Sequence, residues 1–329
     1  MTNTIVDSSG KVSYGLFQAP MDINYQDFPF ELLCGFMLPK LLRPLFVNQF
    51  IFLGVSSSDL FIGMAIIDLK YIAKAFLYAY DRKKCQLIED QQIALPTSVF
   101  IDSKPDLCRS SFRTRTFQAH SFEGQFCATT SHMNLDITVD LSKTRPLRLC
   151  TRAGYNGWVY TQKTTPATVS GTVIIDNKEY KIDSPHSMAV IDWTAGYMQR
   201  ETFWNWASIG STLNDGRNLG LNLSCGVNET GFTENFFVIG DQMTKVDMVH
   251  FDYHSKNLYN PWSIRSYDKK IELTFTPEKH RSENINAWLL ASKFTQLMGQ
   301  FSGQLKTDTG ETIYIDNCPG WAEDHFARW

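Results

Sequence analysis

Two alternating runs meet at Asn214-Asp215-Gly216-Arg217. Before the turn, Thr202, Trp204, Trp206 and Ser208 fall on one side of an extended chain, and Phe203, Asn205 and Ala207 on the other. After it, Leu219, Leu221, Leu223 and Cys225 oppose Asn218, Gly220, Asn222 and Ser224. Asp-Gly supplies the positive φ that a tight hairpin turn needs. A period of two sustained on both sides of such a turn demands a sheet, and the pattern recurs. Residues 45–53 alternate, 60–67 are apolar on both faces as in a covered strand, and 71–80, 87–95, 112–117 and 122–130 continue a meander. In 133–141 Met133, Leu135, Ile137, Val139 and Leu141 oppose Asn134, Asp136, Thr138 and Asp140.

Further strands are expected at 171–175 and 179–182 around Asp176-Asn177-Lys178, and at 232–240, 243–249, 271–275, 299–305 and 312–315. Helical spacing occurs in 283–297, through Ile285, Trp288, Leu289 and Phe294, although the run also reads as a buried strand. Prolines at 20, 29, 39 and 44 make 1–44 an extended lead-in with one short helix near 31–36. The expected fold is all-β, with few short helices. A chain of 329 residues favours two domains. The polar stretch 161–170 (TQKTTPATVS) reads as the linker, dividing the chain into an N-terminal extension (1–44), a first barrel (45–170) and a second barrel (171–329).

Several classes of function are disfavoured. The net charge is −3 and Lys and Arg form no stripe, so nucleic acid is not an expected partner. The longest apolar run is too short to cross a bilayer, so no transmembrane segment is expected, and the N-terminus lacks the pattern of a signal peptide. Seven scattered cysteines with no CxxC pair suit free thiols, hence a cytoplasmic location. His250 and His254 would share a face only on a helix, and they follow a strand, so no metal is expected. No phosphate-binding or dinucleotide fingerprint or nucleophile elbow occurs, and no cofactor is expected. Aromatic residues make up 13% of the chain, as suits half-buried sheet or an apolar cavity.

Chemically capable side chains concentrate in 186–230. Asp192 follows Ala189-Val190-Ile191, where burial disfavours the charged form and makes a general acid; alternatively it pairs with Arg200 or caps a turn. His186 and Arg200 are candidates to tune it, and His186 reads equally as a surface histidine. Trp193, Trp204 and Trp206 could line a ligand site or fill a core. Arg200 and Glu201 are adjacent, so at most one faces a cavity. Asn228 and Glu229 form a polar pair after an apolar strand, either ligand contacts or a turn anchor. Near the end, Glu323, His325 and Arg328 offer a second acid and its neighbours, or an interdomain salt bridge.

These residues carry a resemblance. Asp192-Trp-Thr-Ala-Gly196, Arg200, Trp204-Asn-Trp206-Ala207, Leu221-Asn222-Leu223, Asn228-Glu229, Pro261-Trp262, Asn286, Gly299-x-Phe301-x-Gly303 and Glu323-Asp-His325-Phe-Ala327-Arg328-Trp329 resemble, in order, the family of unknown function 2804. More distantly the layout resembles tandem lipocalin-like proteins, among them carotenoid 1,2-hydratases and AttH-like proteins. Asp192 and Glu323 match acidic positions of that group, while their flanking residues differ. The resemblance implies two lipocalin-like (calycin) barrels in tandem and an apolar cavity.

Three functions are consistent with this. The first is binding of a hydrophobic small molecule or lipid, acyl or isoprenoid-like, in a barrel or between barrels, against Trp193, Arg200, Trp204, Trp206, Asn228, Glu229 and His325. The second is an enzyme with Asp192 as general acid, with His186 and Glu323 as further catalytic candidates, for hydration, isomerisation or cyclisation of an apolar, terpenoid-like substrate. The third is a structural protein with filled barrels.

Overall fold

The computed structural model describes residues 3–32, 34–183, 187–227, 231–287 and 290–328. It is nearly all-β, built from two curled antiparallel sheets, with helix limited among the described residues to four single 3₁₀ turns. Among the described residues no helix is long and apolar enough to cross a membrane.

The first sheet starts from four sequential strands, β1 (Asn48–Ser57), β2 (Leu60–Asp68), β3 (Ala73–Asp81) and β4 (Gln86–Ala94). Its other side is a meander that returns through Met133–Val139 to the long β5 (Gly157–Ile175). β6 (Ser187–Tyr197) closes the gap, pairing with β1 on one side and β5 on the other. The second sheet begins with the hairpin β7 (Glu201–Thr212) and β8 (Asn218–Cys225). It ends with three 17-residue strands, β9 (Ile271–Ala287), β10 (Leu290–Lys306) and β11 (Thr312–Arg328). β11 pairs back onto β7, joining the two ends of this half of the chain.

Alternation decides what each face meets. On β6, Ala189, Ile191, Trp193, Ala195 and Tyr197 enter the first barrel's core, while Val190, Asp192 and Thr194 point the other way. On β7, Ala207 and Ile209 enter the second core with Leu219, Leu221 and Leu223 of β8, and Trp204 and Trp206 point away. The outward faces of the two barrels pack on each other through Phe52, Phe61, Tyr78, Val190, Trp206, Met298 and Trp321. This is why β2 is apolar on both faces: Ile62, Met64 and Ile66 fill the barrel while Phe61 and Ala65 meet its neighbour. Gly63 lies opposite Tyr78, where an added Cβ would stand 2.2 Å from the ring, so only glycine lets Tyr78 lie flat on β2. Thr165 and Ser56 of the first sheet donate hydroxyl bonds to the carbonyls of Ile209 and Gly210 on β7.

Several expectations hold locally. Met133–Val139 alternates strictly between buried and exposed, and Gly216 has φ +87 at the tip of the β7–β8 hairpin. Ile5, Val6, Val12, Met21 and Ile23 of the lead-in insert into the first core.

Others need correction. Residues 161–170 are no linker: they lie inside β5, and Thr161, Gln162, Lys163, Thr164 and Thr165 are buried. Their polarity reflects partners inside the protein. The chain changes sheets at 198–200, between β6 and β7. Residues 283–287 and 290–297 are not helical but paired arms of β9 and β10, with Ala287 paired to Leu290. Spacing counted across a chain reversal is no periodicity. Glu31 bridges Met37 across a turn where a short helix was expected.

Candidate functional site

Where the two outward faces do not fill the space between them, a cavity of about 200 Å³ remains. Cross-strand register builds its floor. Trp206 lies opposite Glu323 and Trp204 opposite His325 across β7 and β11; Gln296 and Phe294 of β10 oppose the same two residues on the other side. The first barrel contributes Phe50 and Phe52 of β1, Lys74 and Phe76 of β3, Lys163 of β5 and Asp192 of β6.

One end of the cavity is acidic. The Lys163 ammonium lies 2.5 Å from Asp192 Oδ2 and 3.3 Å from Glu234 Oε1, so one cation serves two carboxylates. The Thr194 hydroxyl donates to Asp192 Oδ1 at 3.0 Å. Burial pushes Asp192 above the usual carboxylate range, and Glu234 adds to this while Lys163 and Thr194 pull it back. Burial also works against the Lys163 charge, but Asp192 and Glu234 outweigh it and hold that ammonium above its ordinary value.

Glu323, from the second barrel, is the other carboxyl. Gln296 Nε2 donates to its Oε1 at 2.6 Å, and Trp204 Nε1 donates to its Oε2 at 3.3 Å. Gln296 is itself fixed by the Tyr78 hydroxyl, which donates to Oε1 at 2.6 Å and accepts from Trp321 Nε1 at 2.9 Å. Burial raises the Glu323 carboxyl to about 7; its two donors oppose the rise and the nearby Asp192 reinforces it. Glu323 can therefore hold or release a proton near neutral pH.

The other end is basic and aromatic. His325 is clasped between Trp204, with ring centres 4.1 Å apart, and Phe294, at 4.8 Å. Burial, with Lys74 and Arg281 nearby, lowers it to about 3, so the ring is neutral. Arg281 lies over the Phe76 ring at 3.9 Å and pairs through Nε with Glu89 at 2.9 Å. Lys74 sits against Glu283, and burial beside Arg281 brings it down to about 8.

Of the residues singled out from sequence, Asp192, Trp204, Trp206, Glu323 and His325 line this one cavity. Trp193 does not. It is buried in the first core, edge-on to Tyr160 at 5.9 Å, because neighbours in a strand face opposite ways. Arg200 is exposed at the turn between β6 and β7 and is not among the cavity's lining residues, and the partner of Asp192 is Lys163. Glu201 is exposed and pairs with Arg328 at 2.6 Å. His186, Asn228 and Glu229 lie outside the described residues. Sequence reasoning missed Lys163, Glu234, Arg281 and Gln296. The polar composition around Lys163 gave no signal of a buried strand, and Arg281 lay in a stretch with no assigned element. Among the described residues no group of three or more His, Cys, Asp or Glu side chains is placed to hold a metal.

Comparison with known proteins follows the geometry. The chain matches, over residues 40–329, a family model described as "Domain of unknown function (DUF2804)". No curated protein shows significant similarity to it. Among solved structures, kievitone hydratase from Nectria haematococca is similar with a TM-score of 0.51 and 10% identity, over 85% of this chain and 88% of that one. An AttH-like protein from Nitrosomonas europaea has a TM-score of 0.49 and 12% identity, over 86% of this chain and 92% of that one. At these identities the likeness is one of fold.

Proposed function

Because the chain belongs to the DUF2804 family, whose description assigns no activity, the cavity must carry the reading, and we propose that it binds a small apolar molecule and exchanges a proton with it. The carrying observation is that carboxyls from both barrels, the largely enclosed Asp192 from the first and the buried Glu323 from the second, face one largely apolar space. Their surroundings differ. Asp192 has an ammonium at 2.5 Å, whereas the donors to Glu323 are an uncharged amide and an indole. Environments that separate two acids in this way assign them different tasks. Glu323 is the proton donor and Asp192, balanced by Lys163, the acceptor. This moves the acid from Asp192, the first sequence candidate, to Glu323.

Proton delivery to an unsaturated carbon opens hydration, isomerisation or cyclisation, and the faces of Trp204 and Trp206 would steady developing positive charge. A kievitone hydratase among the fold neighbours accords with this class and adds no residue-level support. Size restricts the substrate. A cavity near 200 Å³ compares with roughly 150 Å³ for an engineered apolar cavity that takes up benzene, so one or two rings fit better than a long acyl chain. Seven free thiols accord with a reducing compartment, and we place the protein in the cytoplasm.

A second reading has its own observation. Both Glu323 oxygens already accept a hydrogen bond, as in a carboxyl fixed for structure, and the protein would then bind its ligand without turnover. Incubation with one- and two-ring alkenes in deuterated water separates the two. The wild-type protein should incorporate deuterium, and Glu323→Gln should slow this about 10²–10⁴-fold while still binding ligand. Full activity in a folded Glu323→Gln protein, or binding with no exchange in the wild type, would overturn the catalytic reading.

A further inference from the structure

The hydrogen bonds behind the Glu323 carboxyl run in one direction. Trp321 Nε1–H can only donate, and its acceptor is the Tyr78 hydroxyl at 2.9 Å. Tyr78 is fully buried, and burial pushes its hydroxyl far above the usual phenol range, so the oxygen keeps its hydrogen. That hydrogen goes to Gln296 Oε1 at 2.6 Å. The Gln296 amide therefore turns its nitrogen to Glu323, where Nε2 donates to Oε1 at 2.6 Å. The reverse orientation fails a count of hydrogens. With Nε2 toward Tyr78, the phenol oxygen would face two donors, and its own hydrogen would have no acceptor among the described residues. For a buried hydroxyl that state is costly.

The two oxygens of Glu323 then differ. Oε1 takes a short bond from an amide, while Oε2 has the Trp204 indole at 3.3 Å. In a neutral carboxyl the carbonyl oxygen is the better acceptor. The short bond thus marks Oε1 as the carbonyl and leaves the proton to Oε2. The surroundings agree. Behind Oε1 the bonds lead through Gln296 to Tyr78 and Trp321, which pack in the contact between the barrels and do not line the cavity. Beside Oε2 stands Trp204, which does line it. Asp192 and Lys163, the charged groups nearby, act on the carboxyl without a hydrogen bond to either oxygen.

We propose that Gln296 is the positioning residue for this acid: held by Tyr78, it occupies Glu323 Oε1 and directs the transferable proton to Oε2, on the Trp204 side of the carboxyl. This rests on the reading of Glu323 as proton donor, and it adds the oxygen from which the proton leaves and the residue that selects it. In the transfer the Oε2–H bond breaks and its electron pair stays on the carboxylate. The π pair of the alkene forms the new C–H bond, leaving the positive charge on the neighbouring carbon. The carboxylate left behind keeps one donor on each oxygen, Gln296 on Oε1 and Trp204 on Oε2.

Infrared spectroscopy of the full chain tests the proton's place without turnover. The carbonyl stretch of neutral Glu323 is identified by its loss in Glu323→Gln and is read well below about pH 7. A hydrogen bond to a carbonyl oxygen lowers its stretch. Gln296→Met keeps the length of the side chain and removes the donor, so the stretch should move to higher wavenumber. Trp204→Phe removes the donor to the hydroxyl oxygen and should move it far less. Equal shifts, or the larger one in Trp204→Phe, would overturn the proposal. Deuterium uptake by styrene in deuterated water tests the positioning. Gln296→Met should slow it roughly tenfold, even though losing the donor makes Glu323 easier to protonate. Unchanged uptake would show that Gln296 does not position the acid. The expected stretches with no uptake in the wild type would uphold the proton on Oε2 and overturn Glu323 as donor. The absence of any neutral Glu323 stretch removes both readings. Should Gln296→Met fail to fold, Trp204→Phe decides alone, because a large shift there puts the proton on Oε1.

Discussion

The contact between the two barrels has a packed half and a hollow half. In the packed half, Trp321 is fully buried, edge-on to Phe61 at 5.3 Å and to Phe52 at 6.5 Å. In the hollow half Asp192, Lys74, Arg281 and Glu323 line a cavity, and contacts across the seam such as Arg281 over Phe76 leave space between the walls. Both halves belong to the same two sheets, and their side-chain chemistry differs. Aromatic rings can interlock across a seam at no electrostatic cost. Ion pairs and hydrogen-bonded carboxyls hold their own positions and leave space between them. Tyr78 belongs to both halves, accepting a bond from Trp321 and donating one to Gln296, which in turn holds Glu323. The seam thus supports the site.

The contrast can be broken most severely at Trp321. Trp321→Ala removes the largest ring of the packed half and should cost about 3–5 kcal/mol of stability by urea denaturation. A cost below about 1 kcal/mol would mean that the barrels do not depend on this seam. The hollow half should show itself through pH instead. Glu323 has its folded value raised to about 7 from an ordinary 4.5, so the stability it contributes is present below pH 4.5 and is lost as pH rises through 7. The loss should be on the order of 3 kcal/mol, and Glu323→Gln should abolish that part of the pH dependence. Identical pH profiles for the two proteins would rule out a protonated Glu323. The smallest effect sharpens the link between the halves. Tyr78→Phe leaves Trp321 Nε1 and Gln296 short of a partner and should cost about 1–2 kcal/mol. Unchanged stability would show that the chain from Trp321 to Glu323 contributes nothing.

The strands were legible in the sequence because alternation and turn chemistry are local. Met133–Val139 and the Asp215-Gly216 turn needed no knowledge of what lay opposite. The placement of Trp204 and Trp206 on one face was equally legible, and Asp192, Glu323 and His325 all reached the cavity. The same parity rule would have excluded Trp193 once Asp192 was chosen. Lys163 stayed hidden for a different reason. A buried polar strand has the composition of a loop, and only the distant partners Asp192, Glu234 and Ile209 explain why the threonines and lysine of 161–165 are inside. Arg281 fell between the strand expected at 271–275 and the run 283–297, in a stretch that carried no assignment although it continues β9.

Trp204 and Glu323, joined by one indole-to-carboxylate bond, lie 119 positions apart in the chain. On a ribosome adding about 5–20 residues per second, β7 waits roughly 6–24 s for β11 to be made. Throughout that interval the nascent chain can already join Lys163 to Asp192, yet it presents the β7 edge that β11 will cover, an open invitation to other strands. Chaperone protection is needed most in that window. A product stalled before β11 would have the first barrel and one carboxyl of the pair, with neither Glu323 nor His325.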